Sequence, residues 1–216
     1  MAPPSRKPGS GRSPEFDRRT ICEEAARIMV EHGITDYRFA KNKAVQRLGL
    51  SPRRTELPSN RELAEAMRVR LRLFDGDGLN ERYRTRLERA VEVMDLLEEF
   101  RPRLVGPLLE GIATQHGAVQ LHLFSDAPES VMLRLDDMDL PHRPFDRRVR
   151  FPSDQFEQVP GFSFEWKNSA FDVLVFKYHH IRQAPLCPVE GRPMRRASAE
   201  RVLELRQAFD EDAGAA

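Results

Sequence analysis

Residues 104–124 read Leu-Val-Gly-Pro-Leu-Leu-Glu-Gly-Ile-Ala-Thr-Gln-His-Gly-Ala-Val-Gln-Leu-His-Leu-Phe. Arg103 to Gly106 is a short strand candidate, followed by a helix or turn that runs to His116. Val119, Leu121 and Leu123 then alternate with Gln120, His122 and Phe124. A period of two residues is the mark of a strand with one buried face. The chain ahead of this stretch has a different rhythm, so residue 103 divides two kinds of structure.

Upstream, the spacing is helical. Ser13-Pro14 suits an N-cap followed by proline at the first helical position. Ile21, Ala25, Ile28 and Met29 follow as one stripe, and Gly33 supplies a stop. A second helix is expected from Asp36 to Leu48, with Tyr37, Ala40, Ala44 and Leu48 inward and Gly49 at its end. Ser59-Asn60-Arg61-Glu62 is a capping box, in which Ser59 and Glu62 each satisfy the other's free backbone N–H. The helix behind it carries Leu63, Ala66, Met67, Leu71 and Phe74. Asp75-Gly76-Asp77-Gly78 reads as a plain turn, since the later oxygen ligands of a calcium loop are missing. A long helix over roughly 80–100 presents Tyr83, Leu87, Val91, Met94 and Leu97, and Arg101-Pro102 closes it.

Downstream, Pro128 opens a helix with Val131, Met132 and Leu135. Phe145, Arg147, Val149 and Phe151 alternate as a strand. Gly161–Trp166 and Ala170–Tyr178 form an antiparallel pair around Lys167-Asn168-Ser169, which has hairpin chemistry. Pro185–Pro193 is a loop, and Ala197–Phe209 a last helix. Four helices therefore precede a β-α-β-β-β module. The expected fold is α+β, with a mixed, mostly antiparallel sheet flanked by helices. The organisation is a disordered basic tail over 1–12, a helical region over 13–101 and the α/β module over 102–216.

The bulk composition narrows the field. The 216 residues are 40% hydrophobic and 32% charged, with a net charge of +1. Such a chain buries a core without covalent staples. The longest apolar runs are four to five residues, far short of the roughly 20 that span a bilayer. The N-terminus has no apolar core of a secretory signal. Cys22 and Cys187 lie far apart without metal spacing, so a reduced, cytoplasmic protein without a membrane partner is expected. Residues 1–54 carry twelve Lys/Arg against six acids, which leaves the remainder at a net −5. That asymmetry suits either a polyanion-facing end or a solvated tail and helix faces. No Gly-x-x-x-x-Gly-Lys-Ser/Thr loop, no Gly-x-Gly-x-x-Gly after a strand and no Gly-x-Ser-x-Gly occurs. Walker-type, dinucleotide and simple hydrolase chemistries lose support accordingly.

The frame Leu104-Val105-Gly106, then Glu110-Gly111-Ile112-Ala113, then the strand with Ser125-Asp126 behind it resembles the nucleotidyltransferase superfamily with a polymerase-β-like core. The resemblance covers roughly residues 100–178. The helix-rich half also looks like that of a group of bacterial proteins with this layout. In the superfamily a strand ends in Gly-Ser, a short helix carries a second Gly, and the next strand begins Asp-hydrophobic-Asp. Gly106 and Gly111 sit in register and would line the nucleotide, but Ser is replaced by Pro107, and the paired metal carboxylates fall on Ala118 and Gln120. Asp172, in Phe171-Asp172-Val173-Leu174-Val175, matches the third carboxylate, with Glu165 as a substitute across the hairpin. The resemblance thus implies catalytic Asp172 and Glu165 holding Mg²⁺, touched weakly by Gln120, only if activity persists. Nucleotidyl transfer uses two divalent ions, and a site without the Asp-x-Asp pair is poorly equipped to hold them.

Other clusters carry weaker signals. His122 shares a strand face with Gln120 and is either a cleft residue touching a phosphate or base, or a buried, satisfied histidine. His179, His180 and Cys187 lack the ligand spacing of a zinc site. The arginines of Pro188–Arg196 either grip phosphates, pair with acids or stay solvated. Arg38, Lys41, Lys43 and Arg47, with Tyr37 and Phe39, make a candidate nucleic-acid patch. The functional expectation is a degenerate nucleotidyltransferase-like protein that binds a nucleotide or nucleic acid, with weak or no transfer. The alternative is a nucleic-acid or protein interaction module acting through the basic N-terminal helices.

Overall fold

Two apolar stripes sort the helices into two groups. The computed structural model describes residues 14–51, 55–74 and 76–214. Helices α1 (Pro14–His32), α2 (Tyr37–Arg47) and α3 (Asn60–Phe74) share one core, in which Ile21, Ile28, Ala40, Val45, Leu63 and Met67 are buried. Helix α4 (Gly76–Leu96) turns away from them. Its Leu87, Val93 and Met94, with Leu97 just beyond its end, pack into a second core with the sheet. The cores therefore divide the chain ahead of α4, whereas the change of periodicity falls after it at residue 103. Periodicity gives the width of an apolar stripe but not the partner it will meet.

The sheet comprises β1 (Arg103–Val105), β2 (Val119–Phe124), β3 (His142–Arg150), β4 (Phe156–Trp166) and β5 (Ser169–Phe176), in spatial order β1-β2-β5-β4-β3. Only the β2–β5 pairing is parallel; the other three are antiparallel. The α+β architecture, a helical N-terminal half followed by a mixed and mostly antiparallel sheet, is as expected. Helix α5 (Pro128–Asp137) and the β3–β4 hairpin make the crossover that a parallel pair requires. Alternation then sets the two faces. Val119, Leu121 and Leu123 of β2, with Phe171, Val173 and Val175 of β5, point into the core completed by α4, α5 and α6 (Ala199–Gly214). The opposite face carries Gln120, His122 and Phe124, and Asp172, Leu174 and Phe176. Among the described residues no α-helix joins the apolar cluster on that face, but the 3₁₀ turn Tyr178–Ile181 and Arg196 bury its His122, Phe124 and Phe176, and the Gln120–Asp172 end stays open. At its far end Phe124, Val159, Leu174 and Phe176 make a small aromatic cluster with Phe151.

Local chemistry explains the ends of elements. The Asp36 carboxylate accepts from the Phe39 N–H at 2.9 Å and starts α2. Lys167 and Asn168 both have positive φ, 45° and 62°, which gives the tight two-residue hairpin between β4 and β5. Helix α4 begins at Gly76, so residues 76–78 belong to its first turn rather than to the plain turn expected there; Asp75 lies outside the described residues. Turn-forming residues mark a break but not its length. Helix α6 starts two residues later than expected, because Ala197 exchanges both backbone hydrogen bonds with Leu104, at 2.8 and 2.9 Å, and covers the outer edge of β1. The basic tail over 1–12 and the Ser13 cap lie outside the described residues.

Besides the contact of α3 with α4, two close approaches dock the three-helix unit on the sheet module. Gly33 has φ 64° and sits so close to His116 that a Cβ would strike its carbonyl oxygen. Asn60 Nδ2 donates to the Pro188 carbonyl at 2.6 Å. No described helix is long and apolar enough to cross a membrane.

The capping box at α3 forms as its sequence dictates. Glu62 Oε2 accepts from the Ser59 N–H and hydroxyl, each at 2.7 Å, and the Glu62 N–H reaches Ser59 Oγ at 3.2 Å. Arg18 of α1 adds an ion pair at 2.8 Å. The Arg18 hydrogen bond, then the Ser59 hydroxyl and backbone, hold the Glu62 carboxyl down to about 2 from its usual 4.5. A lowered folded-state value means that the stabilisation is complete above the unfolded value and fades as pH falls towards the folded one. Glu62→Gln should cost about 1 kcal/mol at neutral pH, with the Arg18 share weakened by salt because both side chains are partly exposed. Urea unfolding across a pH series should show wild type and variant converging between pH 4.5 and about 2.

Candidate functional site

Gly106 is fixed twice. Its φ of 76° and ψ of −156° lie in a region essentially reserved for glycine. A Cβ there would also collide with Gln120 Oε1. The chain leaves β1 at this point and enters the short 3₁₀ turn Pro107–Glu110, which Gly111 ends with φ 77° and an N–H bond to Leu108 O at 3.1 Å. A Cβ on Gly111 would meet nothing within 4 Å. The first glycine therefore abuts the open face, whereas the second shapes the turn.

Register brings the other residues beside Gly106. Gln120 pairs with Val105 on one side and with Asp172 on the other. Asp172 in turn pairs with Ser163 of β4. Paired residues share a face, so Gln120, Asp172 and Ser163 form a row across three strands. Asp172 Oδ1 accepts from Ser163 Oγ at 2.7 Å, and Oδ2 accepts a longer bond, 3.4 Å, from Arg147 Nη2. Glu165 lies on the same face two residues along β4, opposite Ala170, and is exposed.

This row does not fit a pair of Mg²⁺ ions. Ala118 offers no ligand, and Gln120 offers one neutral carbonyl. Both Asp172 oxygens already have donors. Among the described residues no three His, Cys, Asp or Glu side chains come together as a metal-binding group. Hard divalent ions need an excess of oxygen anions, and the nearest charged neighbour of Asp172 is a guanidinium.

His122 lies in the next row of the same face, opposite Arg103. It is 1% exposed and stacks against Phe176 with 4.5 Å between ring centres. Arg196 Nε donates to His122 Nδ1 at 3.1 Å. The accepting Nδ1 makes the imidazole neutral, with its proton on Nε2. Burial, then the charges of Arg196 and Arg147, hold its pKa well below the usual histidine range. His122 is thus a buried histidine whose ring accepts from Arg196. Arg196 spreads over Phe124 and Phe176 at 5.0 and 5.3 Å and donates to His180 O at 2.7 Å. Burial, then the nearby Arg103, bring its pKa down to about 10.

The remaining candidates separate. Lys41 Nζ is tied to Pro58 O at 2.9 Å and Asn60 Oδ1 at 2.7 Å, and Arg47 pairs with Glu24 at 3.3 Å. Lys43 lies over the Phe39 ring at 5.7 Å, and Arg38 is exposed. At 3.6 residues per turn, Arg38 and Lys41 flank one side of α2, and Lys43 and Arg47 the other. The four cations do not make one surface. His180 stacks on Phe151 with ring centres 4.5 Å apart, Cys187 is a free thiol, and neither joins a described metal group. Arg195 pairs with Glu110 at 3.3 Å. A cavity of about 90 Å³ lies at the other end of the sheet, lined by Asp126, Glu157, Lys177 and His180. It has room for about three waters, not a nucleotide.

Arg147, Ser163 and Arg196 escaped the sequence reading. The two-residue period of β3 and β4 places Arg147 with Phe145 and Ser163 with Glu165, but neither period says which strand lies alongside. Arg196 was visible only as part of a basic loop. No protein-family model matches the chain, and no curated protein matches it.

Substituting Gly106→Ala should destabilise the protein by about 1–3 kcal/mol, the usual scale of backbone strain. Adding Gln120→Ala should recover the part due to collision and leave the part due to φ. Denaturant unfolding of the four members of this double-mutant cycle measures both; strictly additive effects would mean that Gly106 and Gln120 do not touch.

Proposed function

We propose that this protein is a degenerate member of the nucleotidyltransferase superfamily that binds a nucleotide on the open face of its sheet and has little or no transfer activity. One observation carries the proposal. A glycine that ends a short strand abuts Gln120, which lies directly beside Asp172, on the sheet face opposite the helices. Nucleotidyl transfer at such a site would need carboxylates from the strand after the glycine and from its neighbour. Here only the neighbour's is present, and Arg147 and Ser163 hold it.

What remains is positioning. The open face offers Gln120 as an amide donor and acceptor, Ser163 as a hydroxyl, and guanidiniums on either side of Asp172 and His122. These groups recognise a phosphate or a base edge by hydrogen bonding. They supply neither a metal-activated nucleophile nor a clamp for the leaving pyrophosphate.

Calorimetric titration of ATP into the purified protein, with and without Mg²⁺, should show binding. Incubation with labelled nucleotide should transfer no more label than the Asp172→Ala variant does. Absence of binding in both titrations would sink the nucleotide reading. Transfer that Asp172→Ala abolishes would sink the degenerate one.

A further inference from the structure

The charge of the open face has the wrong sign for a metal site and the right sign for a phosphate chain. Three arginines lie about the rows that hold His122 and Asp172. Arg103 stands opposite His122 in the β1–β2 register. Arg196 bonds it at 3.1 Å. Arg147 approaches from β3 through its 3.4 Å contact with Asp172, which sits one strand away. Arg196 is bonded to His122, Arg103 pairs with that histidine across β1–β2, and Arg147 holds Asp172 beside Gln120 in the adjoining row. His122 is neutral and adds no charge. Nearby acids are Asp172, already shared with Arg147, Glu165 further along β4, Glu157 at the other end of β4 against His180, and Glu200 beside Arg103.

The donors are also under-used. Arg196 Nη2 is buried without any hydrogen-bond partner. Arg103 Nη1 donates to the carbonyl of the preceding Pro102, at 2.9 Å, and among the described residues makes no ion pair. Arg147 has one long bond and keeps 35% of its side chain exposed. A buried or half-buried guanidinium with free N–H groups in a low-dielectric setting favours an anion that can accept from several donors at once. β1, β2 and β5 lie side by side, and at 4.7–4.9 Å per strand they span about 10 Å. That is the span of a chain of phosphates rather than of one.

We propose that the open face binds the phosphate chain of a nucleoside polyphosphate directly through Arg147, Arg103 and Arg196, with no divalent ion between. The proposal rests on the nucleotide reading above and goes beyond it. Arginines take over the charge neutralisation that a metal provides elsewhere. Asp172 then opposes the ligand, because it competes with phosphate for Arg147.

The test is ATP binding in EDTA at low ionic strength, measured for wild type, Arg147→Gln and Asp172→Asn. Metal-free binding is expected. Arg147→Gln should weaken it at least tenfold, and inorganic triphosphate should compete. Asp172→Asn keeps an acceptor for Ser163 and frees Arg147, so affinity should hold or rise several-fold. Near-ultraviolet circular dichroism of both variants reports the fold, and the opposite signs of the two effects separate ligand contact from general damage. Binding that needs Mg²⁺ and is lost in Asp172→Asn would overturn the arginine site and leave the nucleotide reading standing. So would metal-free binding indifferent to Arg147→Gln. No binding of ATP or triphosphate by wild type would overturn both, as would capture of a single-stranded oligonucleotide without ATP.

Discussion

The parallel pairing of β2 with β5 is the constraint on which the rest of the structure depends. It joins strands separated by α5 and the β3–β4 hairpin, and it lies in the middle of the sheet. Its register is held by burial. Val119, Leu121 and Leu123 must face α4, α5 and α6 together with Phe171, Val173 and Val175. A slip of one residue would turn each of these side chains to the opposite face. The same pairing sets Gln120 against Asp172 and His122 against Leu174. The polar row of the open face is thus a by-product of packing on the other side.

Gly106 shows how tightly the row is tied to the frame. A residue with a side chain meets a backbone region that only glycine occupies, and its Cβ would push aside the mobile amide of Gln120. Strain of this kind is retained where a chain must turn sharply beside a site. Ala118 and Pro107 offer no side-chain ligand beside it and Gln120 only a neutral amide, while Arg147 and Ser163 engage the Asp172 carboxylate.

The helical half behaves as a separate packing unit with a polar connection to the site module. Its core is complete within α1, α2 and α3. Asn60, next to the α3 capping box, hydrogen-bonds Pro188 in the loop that also carries Arg196. The position of α3 is therefore linked through one loop to the guanidinium that lies over His122. Lys41, from the neighbouring helix, braces the same Asn60 through its side-chain oxygen at 2.7 Å. The cations of α2 that look like a polyanion patch in sequence are partly spent on such internal ties.

The sequence by itself determined the local elements. The stripes of α1 and α2, the Asp36 cap, the Ser59–Glu62 box, the Lys167-Asn168 hairpin and the alternation of β2 and β5 are all legible, because each depends on residues a few positions apart. It also determined that positions 118 and 120 carry no carboxylate, which is a matter of residue identity. Tertiary structure alone decided that α4 belongs to the sheet, that β5 lies beside β2, and that Arg147, Ser163 and Arg196 converge on Asp172 and His122. Ser163 and Asp172 are nine residues apart, Arg147 and Asp172 twenty-five, and Arg196 and His122 seventy-four. Contacts at such separations are fixed by strand order and by the packing of whole faces. A period of two assigns a side chain to a face and leaves open what that face will meet.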